Sequence, residues 1–229
     1  MKFSLITVNY NGGARIAKCM QAAATQSFTD FEMLVVDNAS TDTSRQTPVP
    51  DDRFRWIDAG GNLGFAAGNN LAAKQAQGEW LFLVNPDAYL EPECLATLHA
   101  ATLRHPTCPL FGCTQLDDEF PDLLDGGGDC YYFAGLPWRG GKGWEIEALP
   151  DEGEVWGPCG AAYLIRRDIF ESLGGFDEDF FCYCEDVDLN FRMHLQGYKA
   201  IQVVEAFMRH EGSGITGAAS PFSDFHGMR

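Results

Sequence analysis

The feature that most constrains this chain is an alternation that runs through its first hundred residues. A short apolar run ends in a turn bearing Asn or Asp, and a segment with helical spacing follows. Residues 3–8 end in Asn9-Tyr-Asn-Gly-Gly13, and residues 14–26 follow with Ile16, Met20 and Ala23 on one side. Residues 33–36 end in Asp37-Asn-Ala-Ser-Thr-Asp42. Residues 54–57 lead to a loop at 60–64 and a small-residue helix over 65–77, closed by Gly78. Residues 80–84 end in Asn85-Pro-Asp87, a helix over 92–104 follows with Pro92 as its first residue, and residues 109–116 form a fifth run. Continuous apolar runs fit strands buried on both faces, and their alternation with helices predicts an α/β domain with a mostly parallel central sheet flanked by helices. Such sheets bind ligands beyond the carboxyl ends of their strands. Asn9, Asp37, Asn62 and Asp87 all fall there.

The second half reads differently. Residues 117–150 hold Gly126-Gly-Gly128, Gly140-Gly141, six acidic residues by Asp129, and the aromatics Tyr131, Tyr132, Phe133, Trp138 and Trp144. A long glycine- and aromatic-rich loop in a compact domain reads as a lid or a binding surface. Residues 155–165 are expected to resume a strand. Asp168 to Glu171 reads as a capping-box helix start, stopped by Gly174-Gly175. Residues 185–196 read as a helix with Val187, Phe191 and Leu195 inward and Gly197 as terminator, and residues 200–204 as a strand.

Charge divides the chain the same way. The formal net charge is -17, with 8 basic and 11 acidic side chains in residues 1–114 against 8 and 22 in 115–229. A field of that sign repels polyanions, so nucleic acid is not an expected partner. The first half is expected to meet an anion and the second something neutral or metal-bridged. The eight cysteines are scattered singly apart from Cys182 and Cys184, which fits reduced, largely buried thiols. No leader segment is expected, and no apolar run approaches the ~20 residues of a membrane span. The expectation is a cytoplasmic protein, soluble or at most peripheral at the inner face of the cell membrane.

Several residues suit chemistry. Asp37 could accept hydrogen bonds from a ribose or a pyrimidine N–H. The segment Asn62-Leu-Gly64-Phe-Ala-Ala-Gly-Asn69 leads a loop into a helix whose free N–H groups favour a phosphate or a polar base edge. It matches neither GxGxxG nor a P-loop. One carboxylate at a strand end, as at Asp87, suits a hard cation that shares substrate oxygens. His210, in Arg209-His-Glu-Gly, could complete a metal shell. In Glu185-Asp186-Val-Asp188, three carboxylates open a helix, where backbone N–H groups favour anions. Glu185 and Asp188, and Asp188 and Arg192, share faces at helical spacing. Asp186 points elsewhere, toward a ligand.

The ordered set Asn9-Tyr-Asn, Val36-Asp37-Asn-Ala-Ser-Thr-Asp42, Asn62-Leu-Gly-Phe-Ala-Ala-Gly-Asn69, Asn85-Pro-Asp87, Gly157-Pro-Cys-Gly-Ala-Ala, Gly174-Gly-Phe-Asp177, Glu185-Asp186-Val-Asp and His210 resembles family 2 inverting glycosyltransferases of GT-A fold. It is most similar to their rhamnosyltransferase-like branch, and the resemblance runs from about residue 2 to residue 216. It implies one GT-A domain, with residues 1–114 as the nucleotide-sugar half and 115–229 as the acceptor-binding and catalytic half. Thr7, Asn9 and Asp37 would bind the nucleoside, with Asn62 and Gly64 beside it. Asp87 would be the metal-binding aspartate of an Asp-x-Asp motif holding Mg²⁺ or Mn²⁺, with His210 as a late ligand; Asn85 stands where that motif has its first aspartate. Asp186 would be the catalytic base. The acceptor is expected against Glu185, Trp138 and Trp144, with sugar rings stacking on aromatics. The implied reaction is inverting transfer from a UDP- or dTDP-linked sugar to a hydroxyl of a saccharide or lipid-linked acceptor. Two other readings stay open: a nucleotidylyltransferase, for which residues 9–18 offer only Arg15 and Lys18 to a triphosphate, and a non-catalytic nucleotide- or carbohydrate-binding relic of the fold.

Overall fold

The computed structural model describes residues 1–212. In chain order its elements are β1 (Phe3–Asn9), α1 (Ala14–Ala24), β2 (Phe31–Asp37), β3 (Phe54–Asp58), α2 (Gly64–Ala73), β4 (Trp80–Val84), β5 (Ala88–Leu90), α3 (Cys94–Arg104) and β6 (Leu110–Asp117). There follow β7 (Leu124–Gly126), β8 (Asp129–Tyr132), β9 (Leu136–Arg139), β10 (Gly153–Val155), β11 (Ala162–Arg166), α4 (Arg167–Ser172), α5 (Glu185–Leu195) and β12 (Ala200–His210).

The main sheet runs β10-β12-β6-β11-β4-β1-β2-β3, with β5 on β12 and β7 on β6. β1, β2, β3 and β4 pair in parallel, as do β6 and β12, while β11 lies antiparallel between β4 and β6. All six longer strands therefore point one way, with β11 reversed among them. The result is the α/β domain with a mostly parallel sheet that the apolar runs imply. Alternate side chains of the double-buried strands enter two cores. Phe3, Leu5, Met33 and Val35 pack with α1 and α3 on one face. Ile6, Val8, Leu34 and Val36 pack with α2, α4 and α5 on the other.

Four expectations need correction. Residues 155–165 are not one strand: β10 pairs with β12 at the sheet edge, and β11 begins only at Ala162. Pro158 cannot donate to a ladder and Gly157 and Gly160 give it no side chains to pack, so the run breaks between them. Helix α4 forms without the capping box: its N-cap is Arg166 with no side-chain cap hydrogen bond, and Asp168 lies in the first turn. In α5 the buried residues are Glu185, Leu189, Asn190 and Met193, whereas Phe191 and Leu195 are 45% and 72% exposed. Two polar residues take part in that buried stripe, with Tyr163 Oη donating to Asn190 Oδ1 at 2.7 Å, so apolar spacing alone points to the wrong face. Finally, the last strand does not stop at residue 204 but runs on to His210, which ends β12. All eight cysteines are free, and five are buried. Among the described residues no helix is long and apolar enough to cross a membrane.

Candidate active site

Parallel pairing brings the strand ends together. β1 and β2 are in register from Phe3–Phe31 to Asn9–Asp37, so those two polar residues end their strands side by side. β5 places Ala88 opposite His210 on β12, which sets His210 beside the residue that follows Asp87. A cleft of about 720 Å³ opens at this edge, a size suited to a small-molecule ligand.

One wall is built from neutral amides and backbone. Asn38, Asn62 and Gly64 line it. Asn38 Nδ2 donates to Asn62 Oδ1 at 2.9 Å and to the Gly64 carbonyl at 3.2 Å, and its Oδ1 accepts from Leu63 N. Gly64 has φ +83, and a Cβ there would collide with the carbonyl oxygen of Phe181, the acceptor of the Phe65 N–H at 2.7 Å. Thr7, Asn9 and Asp37 are buried behind this wall and do not line the cleft. Asn9 Nδ2 donates to Ser40 Oγ and Ser44 Oγ at 3.0 and 2.9 Å, tying the ends of β1 and β2 together.

The opposite wall is charged. Asp87, Arg139, Lys142 and His210 line it beside Asn85. His210 Nε2 lies 3.4 Å from Asp87 Oδ1, both residues being buried. His210 Nδ1 lies 2.8 Å from Asp125 Oδ2. Asp125 also accepts from Arg139 Nη1, and from Lys142 Nζ at 2.7 Å. Burial works against the Asp125 carboxylate, but His210, Arg139 and Lys142 outweigh it and hold its pKa well below the usual range. Burial likewise opposes the His210 imidazolium, yet Asp125 and Asp87 carry its pKa above the ordinary value.

This arrangement suits a divalent cation. Among the described residues Nε2 of His210 is a buried polar atom with no hydrogen-bond partner, and it faces a carboxylate oxygen. Nitrogen and oxygen donors of this kind fit Mn²⁺ well and Mg²⁺ through the oxygen.

Asp186 stands one layer behind, outside the cleft lining. Its Oδ2 accepts from Gly160 N at 2.6 Å and its Oδ1 from Val187 N at 2.8 Å. A Cβ on Gly160 would lie 3.1 Å from Oδ2, so glycine admits this close approach. The helix is entered through two left-handed non-glycine residues, Tyr183 (φ +70) and Cys184 (φ +68), the kind of backbone strain that clusters at functional sites. Ligand atoms of Asp186, Asp129 and Cys159 lie within 4.8 Å of one another. Arg139 pairs across the β8–β9 ladder with Asp129 and donates to Cys159 Sγ at 2.8 Å. It thus joins the Asp186 cluster to the cleft wall. Burial first, then the Asp186 charge, pushes Asp129 up to about 7. Burial also raises Asp186, against the two backbone N–H groups and Arg139, which favour its ionised form. Asp129 lacks the two backbone donors, so a proton shared by the pair favours Asp129 over Asp186.

Glu185 is buried, with Oε2 unpartnered, and burial followed by the Asp186 charge raises its pKa well above the carboxylate range. It is a core residue and does not line the cleft. Trp138 and Trp144 are 52% and 56% exposed on the β8–β9 side, also off the cleft lining. Asp188 forms the expected pair with Arg192 at 2.7 Å. Asn38, Asp125, Asp129, Arg139 and Lys142 were not singled out from sequence. Asn38 stood inside a motif read through its neighbour Asp37; the others lie in the glycine-rich segment, where no periodicity marks a face.

A family model described as Glycosyl transferase family 2 matches residues 4–174. N-acetylglucosaminyl-diphospho-decaprenol L-rhamnosyltransferase of Mycobacterium tuberculosis (strain ATCC 25618 / H37Rv) is 28% identical over 93% of this chain and 77% of its own length. O-antigen biosynthesis protein RfbC of Myxococcus xanthus is 32% identical over 85% of this chain, which spans only 16% of that protein. Among solved structures, mannosyltransferase PcManGT from Pyrobaculum calidifontis, in complex with GDP-Man and Mn²⁺, superposes with a TM-score of 0.68 at 20% identity, covering 94% of this chain and 58% of the other. Staphylococcus aureus TarS 1–349 in complex with UDP-GlcNAc gives 0.68 at 20% identity, covering 98% and 63%. At those identities the structural likeness establishes the fold.

Proposed function

The chain belongs to glycosyl transferase family 2, in its rhamnosyltransferase-like branch, and from that premise we propose an inverting transfer in which Asp186 is the base and Asp87 and His210 anchor the donor diphosphate. The donor is a nucleoside-diphosphate sugar, UDP- or dTDP-linked, and the acceptor a hydroxyl of a saccharide or lipid-linked saccharide. The observation that carries this is Arg139, which lines the cleft beside Asp87 and lies against Asp129 and Asp186 on its other side.

A sugar hydroxyl is a poor nucleophile, and a carboxylate within reach can take its proton as the new bond forms. For that Asp186 must be ionised. The two backbone donors and Arg139 favour its charge, while burial favours the neutral forms of Asp129 and Glu185. The departing diphosphate gathers negative charge. Asp87 and His210 would hold Mg²⁺ or Mn²⁺, which when bound supplies positive charge at those oxygens. Arg139 and Lys142 add fixed positive charge on the same wall, where Asn85 contributes none. Asn62, Gly64 and the α2 N-terminus form the donor side, with Thr7, Asn9 and Asp37 supporting it from behind. The exposed Trp138 and Trp144 offer faces for acceptor sugars, and Glu185 supports the helix that carries Asp186. Residues 1–114 thus serve the nucleoside side of the donor, and the later half carries the acceptor side and the base and lends Arg139, Lys142 and His210 to the diphosphate.

The test is a panel of UDP-, dTDP- and GDP-sugars with saccharide and lipid-linked acceptors, read by nucleoside diphosphate release with and without Mn²⁺, and by NMR of the product's anomeric centre. Metal-dependent release with inversion is expected. A retained centre contradicts the proposal, and nucleotide binding without release from any donor favours the non-catalytic relic.

A further inference from the structure

We propose that Asp125 is a positioning residue for His210: it fixes the imidazole so that Nε2 faces Asp87, and thereby sets the affinity of that pair for a divalent cation. The inference rests on the assignment of Asp87 and His210 as a cation site.

The backbone singles Asp125 out. Where β7 pairs antiparallel with β6, Gly126 opposes Gln115 and Leu124 opposes Leu116, so Asp125 is the extra residue of a β-bulge. Bulges re-aim a side chain out of the ladder's regular alternation. Here the re-aimed carboxylate is 3% exposed and reaches His210, itself 4% exposed at the end of β12. Three donors converge on it: His210 Nδ1 at 2.8 Å, Lys142 Nζ at 2.7 Å and Arg139 Nη1. Arg139 shares Oδ2 with His210, and Lys142 holds Oδ1. Asp125 is thereby kept from swinging toward Asp87 to serve as a ligand itself.

The consequence for His210 follows from donor and acceptor chemistry. An ionised carboxylate only accepts, so the ring nitrogen facing it must carry the hydrogen. A neutral His210 then presents its lone pair at Nε2, 3.4 Å from Asp87 Oδ1, with no hydrogen bond to Nε2 among the described residues. A buried imidazole lone pair turned toward a carboxylate oxygen is a donor set that a cation can share. A carboxylate behind a metal-binding histidine fixes the tautomer and makes the ligand more basic, and its loss typically costs 10- to 100-fold in metal affinity.

Two readouts test this. Calorimetric titration of the metal-free protein with MnCl₂ compares the parent, Asp125→Asn and His210→Ala. The ¹⁵N spectrum of histidine-labelled parent protein at pH 9, assigned by difference from His210→Ala, reports which ring nitrogen carries the hydrogen and needs no Asp125 variant. Expected are an Nδ1–H ring in the parent and a 10- to 100-fold weaker Mn²⁺ affinity in Asp125→Asn. An Nε2–H ring in the parent overturns the inference. So does an unchanged affinity in Asp125→Asn when His210→Ala loses it. If His210→Ala also leaves the affinity unchanged, the cation site itself falls, and the inference with it.

Discussion

The two walls of the cleft are made of different material. The first-half wall is neutral: Asn38, Asn62 and Gly64 hold one another through amide and backbone hydrogen bonds directly after strand ends. The second-half wall is charged: Asp125, Arg139, Lys142 and His210 form a chain of ion pairs that continues through Arg139 to Asp129 and Asp186. A neutral network shapes a site, and each of its bonds contributes modestly. A buried charge network is held at higher stakes, because removing one member leaves the others uncompensated. Substitutions on the two walls should therefore differ in size and in pH dependence.

The largest effect is expected at the junction. Arg139→Met strips the cation shared by Asp125, Asp129 and Asp186, and should cost about 3–5 kcal/mol in urea unfolding; a loss under about 0.5 kcal/mol would show the charged wall to be loosely coupled. Next comes the tightest point of the neutral wall. Gly64→Ala places a Cβ against the Phe181 carbonyl at φ +83 and should cost about 1–3 kcal/mol, with weaker donor binding by calorimetry. An alanine tolerated there would mean that the loop is not held against Phe181.

The pH dependence separates the walls further. Asp129, at about 7 in the folded chain against an ordinary 3.8, holds a proton that the unfolded chain releases. Its contribution to stability is present at low pH and is lost as pH rises from about 4 through about 7. Asn cannot titrate, so Asp129→Asn should gain about 2–3 kcal/mol relative to the parent between pH 5 and pH 8, measured by denaturant unfolding at both values. A parallel pH profile would place the shared proton elsewhere. The smallest effect is expected at Asn62→Ala, where loss of the bonds from Asn38 Nδ2 and Gly64 N should cost about 1 kcal/mol, equally at both pH values.

The same contrast decides what could be read from sequence. The first-half strands are legible because residues such as Ile6, Leu34 and Leu83 are apolar on consecutive positions, and a strand buried on both faces leaves that trace. Asn62, Gly64 and Asp87 then follow from where those strands stop. The second half hides its logic. Asp125 reaches His210 through a bulge, and Arg139 meets Asp129 across a hairpin in a glycine-rich segment without apolar alternation. Both depend on tertiary pairing. The buried face of α5 escapes apolar spacing for a related reason, since Glu185 and Asn190 are polar residues that the core accepts.

Asp186 joins the halves chemically, so the most direct measurement pairs donor binding with turnover in Asp186→Asn. The substitution is nearly isosteric, and Asp186 does not itself line the cleft. Calorimetry with the intact nucleotide-sugar and Mn²⁺ should return the parent affinity, while transfer falls by about 10²- to 10⁴-fold, the usual contribution of a general base. Normal turnover by Asp186→Asn would contradict the assignment of the base.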